Sequence, residues 1–197
     1  MLALSIKENR VSFLSAFYSN SEFLINDFGV LPLKSSSFSE DVIKNILNRK
    51  KIKNSNTLSK KCVISIESNE VFLNQIFSSD KINADTMVHW TNNLVFGGAQ
   101  QDLYNDYHYE IFDSNKMLSV YFDKTKQLDY YSICKKTKLN LSALSIDILS
   151  ADYVARKMFD AKSIEDYIIW GIGKHKDDML IIKGNKLIGL VSFKRLK

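Results

Sequence analysis

The sequence predicts an α/β protein of mixed sheets, with an α+β segment set between two strand-rich ends. Three observations lead there. The first stretch reads strand, strand, strand, helix. The last stretch is strand throughout. These two runs, near residues 2–30 and 166–194, share a rhythm of short hairpins that suggests an internal duplication. At 197 residues and 45% hydrophobic, with a single proline, the chain is long enough for a real core and unsuited to disorder.

In order, residues 2–7 alternate apolar and polar and then turn at Glu8-Asn9. Residues 11–18 form a second strand and Phe23 to Val30 a third, separated by Asn20-Ser21. Pro32 to Ser37 is a loop. Ser39 is placed to cap a helix with Glu40 and Asp41 in its first turn and an apolar stripe of Val42, Ile43, Ile46 and Leu47. Val63–Ile66 and Val71–Phe77 make a further hairpin. A helix capped by Asn83 carries Met87, Trp90, Leu94 and Val95 at helical spacing and stops at Gly97-Gly98. Strands at Leu103–Phe112 and Met117–Phe122, a helix over about 124–137 and a strand at Leu141–Ile148 follow. Ser150 is placed to cap a short helix burying Ala151, Val154, Ala155, Met158 and Phe159. The closing strands are Tyr167–Gly173, Met179–Lys183 and Leu187–Phe193. No helix comes after them, so the edge near Leu187–Phe193 is expected to be open or closed by another chain, giving a homo-oligomer or a hetero-complex.

Composition narrows the function classes. The net charge of +5 is mild, and the cations cluster at 49–53, Lys60-Lys61 and 135–138. The first cluster follows a predicted helix, where cations complement the dipole. Nucleic-acid binding would want aromatics among those lysines, and residues 48–61 hold none. An anionic membrane surface and a partner's acidic face stay as alternatives. Cys62 and Cys134 sit in apolar settings without a CxxC motif, as expected of two buried free thiols in a reducing compartment. The N-terminus is charged too early for a signal peptide, and no apolar run approaches the ~20 residues of a membrane span. A cytoplasmic protein is expected, one that reaches a membrane only where a partner carries it there.

Several stretches together resemble a known family. They are Phe28-Gly29-Val30-Leu31-Pro32-Leu33, the strand and turn from Lys61 to Val71, and the helix from Ile82 to Val95. Asp106-Tyr107-His108-Tyr109, Leu144-Ser145-Ile146-Asp147-Ile148 and Tyr167-Ile168-Ile169-Trp170-Gly171-Ile172-Gly173 complete the set. Their order is similar to that in the PilM-like type IV pilus assembly proteins, relatives of FtsA with the actin-like (ribonuclease H-like) ATPase superfold. The resemblance covers nearly all of this chain and only part of the family's usual length. It implies a first actin-like subdomain at 1–60, an inserted α+β subdomain at 61–148, and a connecting helix with the start of a second actin-like half at 149–197. It also implies a cytoplasmic scaffold of a type IV pilus or type II secretion platform. Such a scaffold binds the N-terminal peptide of an inner-membrane partner and contacts the assembly ATPase.

An actin-like ATPase cradles phosphate in two hairpins, each offering an Asp toward the metal and glycines that let backbone N–H groups approach. In the family's first loop, Ser5 stands where the Asp would be and Lys7 where the first Gly would be, followed by Glu8. In the second, Gly171 replaces the Asp while Gly173 is retained. Hydrolysis is therefore not expected, and no catalytic or metal-ligating residue and no cofactor is assigned. The alternative is a nucleotide-binding actin-like ATPase that holds ATP and magnesium through Lys7, Gly171, Gly173 and Lys174. The resemblance places a partner groove at the seam of first sheet and insert, lined by Val30, Leu31, Leu33, Val63 and Phe72. Asp106, His108 and Glu110 share one face of a strand, a pattern that suits zinc or acid/base work and equally suits a solvated strand face. His89 reads as a helix-surface residue and His175 lies in a turn. No HExxH, P-loop, GxSxG or Gly-rich dinucleotide motif is present.

Overall fold

The computed structural model describes residues 1–19, 22–33, 38–53, 60–77, 83–97, 104–110, 116–158, 166–173, 176–184 and 186–194. In chain order the elements are β1 (Leu2–Lys7), β2 (Arg10–Ser19), β3 (Glu22–Pro32), α1 (Glu40–Leu47), α2 (Lys50–Lys53), β4 (Lys61–Ile66) and β5 (Phe72–Phe77). Then come α3 (Ala84–Phe96), β6 (Tyr104–Glu110), β7 (Lys116–Asp123), α4 (Lys124–Lys136) and β8 (Asn140–Ile146). The last are α5 (Asp147–Met158), β9 (Asp166–Ile172), β10 (Lys176–Lys183) and β11 (Lys186–Lys194). They fall into two compact units, Met1–Glu67 with Lys126–Ile146, and Ser68–Thr125 with Asp147–Lys197.

The first unit is built on a five-stranded sheet ordered β3-β2-β1-β4-β8. The β1–β2 and β2–β3 pairs are antiparallel, whereas β4 runs parallel to both β1 and β8. Alternation along β1 and β2 puts Leu2, Leu4, Ile6, Val11 and Phe13 into the core, and the register sets Leu4 opposite Phe13 and Ile6 opposite Val11 on one face. Cys62, Ile64 and Ile66 of β4 are buried in step with Leu2, Leu4 and Ile6. Ile43 and Ile46 of α1, Ile52 of α2 and Cys134 of α4 are buried as well. Each such side chain contributes about 1.5–3 kcal/mol. Both cysteines are free and buried, as expected. Contact with Cys134 and burial push the Cys62 thiol up and keep it protonated.

The expected boundary at residue 60 is corrected by this pairing. Lys61–Ile66 and Asn140–Ile146 belong to the first sheet, and the chain departs from that unit between them. Ser39 does occupy the N-cap of α1, but its side chain makes no capping bond.

The second unit holds two three-stranded antiparallel sheets, β5-β7-β6 and β11-β10-β9. Ile76, Met117 and Met87 pack between the first of these and α3. Asn83 caps α3 through its side chain, which accepts the Thr86 N–H at 3.2 Å. The second sheet repeats the order of β1, β2 and β3, with the middle strand formed by the second of three consecutive strands. Its covering helix precedes it: α5 packs on β9 and β10. That helix begins at Asp147, so Ser150 lies inside it, and it buries Ile148 and Asp152 while Val154 and Met158 are exposed. The edge expected to be open at Leu187–Phe193 is occupied at its centre. The Gln75 side chain of β5 accepts the Leu190 N–H at 3.1 Å and donates to the Leu190 carbonyl.

Candidate functional site

The sequence resemblance sets two hairpin turns, β1–β2 and β9–β10, against phosphate loops. In the first unit, β1 and β2 close on the pair Lys7–Arg10. The N–H of Glu8 donates to Glu67 Oε2 at 3.3 Å, and Lys7 Nζ stands 4.0 Å from Glu67 Oε1. In the second unit, β9 and β10 close on the pair Ile172–Asp177. The N–H of Gly173 donates to Asp177 Oδ1 at 3.1 Å, and Trp170 Nε1 donates to Asp177 Oδ2 at 3.3 Å.

The two turns therefore share one device: a backbone N–H of the turn is held by a carboxylate of the chain itself. Such N–H groups are what would approach a phosphate. Here each already faces an anion, and a second anion would meet like charge. Asp177 and its neighbour Asp178 are both buried. Asp178 accepts from the hydroxyls of Ser68 and Ser192, with Lys176 Nζ 3.5 Å away. Sequence reading missed both aspartates. The available signal was an Asp-Asp pair opening a strand directly after a glycine turn.

The four nucleotide-site candidates are placed as follows. Lys7 lies in the first unit beside Glu67, as above. Gly171 is a packing glycine, because a Cβ there would stand 3.1 Å from Ile148 Cδ1 of α5. Gly173 is a turn glycine, because a Cβ would stand 2.3 Å from the Lys176 carbonyl oxygen. Lys174 lies outside the described residues, as does His175.

Of the partner-site candidates, Val30, Leu31, Leu33 and Val63 belong to the first unit and Phe72 to the second. Val30 and Phe72 are exposed; Leu31, Leu33 and Val63 are half-buried. Val30 pairs with Ser12 and Leu31 with Val11, which is fully buried. Val30 and Leu31 thus face opposite sides of β3 and do not line one surface together. Val63 sits on β4, flanked on both sides by β1 and β8.

β6 forms as expected, but the side chains of Asp106, His108 and Glu110 lie outside the described set. His89 is exposed on α3, with Asn93 Nδ2 at 3.3 Å from its Nε2. Among the described residues no three His, Cys, Asp or Glu side chains are grouped to hold a metal, and no helix is long and apolar enough to cross a membrane.

No protein-family model matches the sequence, and no curated protein does. Solved structures are similar in fold. One is the PilM-PilN type IV pilus biogenesis complex, with a TM-score of 0.72 and 9% identity over 98% of this chain. The present chain spans 61% of the length of that one. The cytoplasmic domain of EpsL, an inner-membrane component of the type II secretion system of Vibrio cholerae, gives 0.59 at 8% identity over 98% of this chain and 70% of its own. A Bacteroides thetaiotaomicron protein of actin-like ATPase fold and unknown function gives 0.54 at 13% identity, covering all of this chain and 70% of its own. The chain is a mixed α/β protein with an actin-like ATPase fold.

Proposed function

We propose that this chain is a non-catalytic scaffold of a type IV pilus or type II secretion-like assembly platform, which works by binding a peptide segment of a partner. The likeness to PilM and EpsL supports the platform context, and the carboxylates on the two hairpin turns carry the non-catalytic part. A turn whose amide is held by Glu67 or Asp177 has no free donor at that position for a phosphate, and neither Ser5 nor Gly171 can hold a metal or its waters as a carboxylate does. The partner in this reading is an inner-membrane platform protein, with the assembly ATPase as a second contact, and the chain sits at the cytoplasmic face of the membrane through them.

The test has two arms. Isothermal titration of Mg-ATP, with Mg-ADP beside it, is expected to give no heat of binding at millimolar ligand. Co-purification with the inner-membrane components encoded near its gene is expected to recover a stable complex. Saturable Mg-ATP binding together with no such complex would replace this reading with that of a nucleotide-binding actin-like ATPase.

A further inference from the structure

The outer edge of β3 is unpaired: among the described residues the sheet order begins at β3, with no strand beyond it. The edge is also apolar. Tyr18 of β2 and Phe23, Ile25, Phe28 and Val30 of β3 are between 52% and 72% exposed. They share one face. The register pairs Tyr18 with Phe23, Ala16 with Ile25, Leu14 with Phe28 and Ser12 with Val30, and residues 12, 14, 16 and 18 alternate onto the same side of β2. A register shift between Ser15 and Ala16 skips Asn26, and this keeps Ile25 in line with Phe28 although they are three apart.

The opposite face of β3 is covered by α2, which carries exposed lysines. Arg49 caps the stretch before α2, donating to Asp27 Oδ2 at 2.6 Å, with its guanidinium 5.0 Å from the Phe13 ring centroid. Phe13 lies on the core face, so α2 covers that side, and Lys50, Lys51 and Lys53 are exposed beside it. The strand's backbone is available in part. Leu33 N–H donates inward to the Asn9 carbonyl at 2.8 Å, so by alternation the groups of Val30 point to the open edge. The Phe28 N–H is taken by Asp27 Oδ1 at 3.0 Å, and Pro32 has no N–H.

We propose that this edge docks an added β-strand in which apolar and acidic residues alternate. A strand laid along β3 continues both faces of the sheet. Its apolar residues would meet Phe28, Val30 and Ile25, and its carboxylates would reach Lys50, Lys51 and Lys53. The charge decides among occupants. A second copy pairing edge to edge would bring two sets of these lysines onto one side of the joined sheet. A flat membrane touching the aromatic face would leave the lysines on the far side. An acidic, amphipathic strand satisfies both faces at once.

A fluorescein-labelled nonapeptide of alternating glutamate and valine tests this, with the alternating lysine and valine peptide as control and anisotropy as the readout. The acidic peptide is expected to bind, more weakly at higher salt, and the basic peptide not to bind. Val30→Glu is expected to weaken binding about tenfold or more, and the triple change K50E/K51E/K53E to weaken it similarly, both with unchanged thermal unfolding. If Val30→Glu perturbs the fold, the lysine variant alone decides. Equal binding of both peptides, binding unaffected by these changes, a wild-type dimer that Val30→Glu dissolves, or binding to phosphatidylglycerol vesicles in place of the peptide overturns the proposal. Such a failure leaves the scaffold reading standing, because that rests on the likeness to PilM and EpsL and on the hairpin turns, not on β3.

Discussion

Asp177 Oδ1 accepts the N–H of Gly173 across the turn of the β9–β10 hairpin, at 3.1 Å. Four residues of separation make the contact local, and burial of Asp177 makes it costly to leave. A carboxylate of the chain itself thus holds the amide of this turn. Glu67 does the same for Glu8, at the turn of the β1–β2 hairpin.

Mg-ATP is expected not to stabilise the protein. A ligand at about 100 times its Kd raises stability by roughly 2.7 kcal/mol. Differential scanning fluorimetry with millimolar Mg-ATP, against a salt-matched control, should therefore show no rise in Tm. A rise of several degrees would mean that the turns accept phosphate despite Glu67 and Asp177.

The Asp27–Arg49 pair is expected to shape the acid limb of stability. The Arg49 hydrogen bond holds the Asp27 carboxyl below the ordinary carboxylate range, against the opposing effect of burial. A depressed carboxyl contributes stability that is fully present above its unfolded value near pH ~4 and is lost as pH falls through the lower folded value. Asp27→Asn should then cost about 1 kcal/mol at neutral pH, at the low end for a charged hydrogen bond because Arg49 is partly exposed. The gap between variant and wild type should narrow in urea titrations as pH falls below the ordinary carboxylate range. A gap that is the same at neutral and acid pH would assign the loss to packing.

The core and the β3 edge are expected to respond oppositely to truncation. Ile46 is fully buried on the inner side of α1, so Ile46→Ala should cost about 2–5 kcal/mol. Val30 is exposed, so Val30→Ser should stay within about 0.5 kcal/mol. Equilibrium urea unfolding of the two variants measures this directly. A large loss from Val30→Ser would mean that β3 is packed against something and not open.

The sequence made the strands legible because their alternation is local. β1, β2, α1 and the α3 cap at Asn83 can be read from adjacent residues, and the structure has them where the pattern puts them. What failed was any feature decided by a partner far along the chain. The subdomain boundary at residue 60 missed because β4 is claimed by β1 and β8, and parallel pairing leaves no turn signal. In α5 the helical stripe of Val154 and Met158 looked like core, yet beside Ile148 the buried residue is Asp152. Its carboxylate accepts from Tyr167 Oη at 2.7 Å and Arg156 Nε at 2.8 Å, so burial costs it little. In the candidate site, the departures of Ser5, Lys7 and Gly171 from the loop pattern of the family that the sequence resembles were visible. The carboxylates that hold the turns were not, since Glu67 lies 59 residues from Glu8.

The β11 edge supplies the last prediction. The sequence leads one to expect an open edge at Leu187–Phe193. The structure instead places Gln75 there, 115 residues away in sequence, with its amide bonded to both the N–H and the carbonyl of Leu190. A primary amide offers the same donor and acceptor as a peptide group. Gln75 thus imitates one rung of a neighbouring strand and blunts the edge at its middle. Gln75→Ala removes the imitation and leaves two partly buried backbone groups without partners, which should cost about 1–3 kcal/mol. It should also free the edge, so the variant is expected to self-associate more than the wild type as concentration rises. Multi-angle light scattering on both proteins across a concentration series makes the comparison. Gln75→Glu serves as the companion variant, because it keeps the acceptor for the Leu190 N–H while losing the donor to the carbonyl. It should fall between the other two in stability. If Gln75→Ala matches the wild type in both unfolding and mass, the edge does not depend on Gln75, and the chain must protect it by other means.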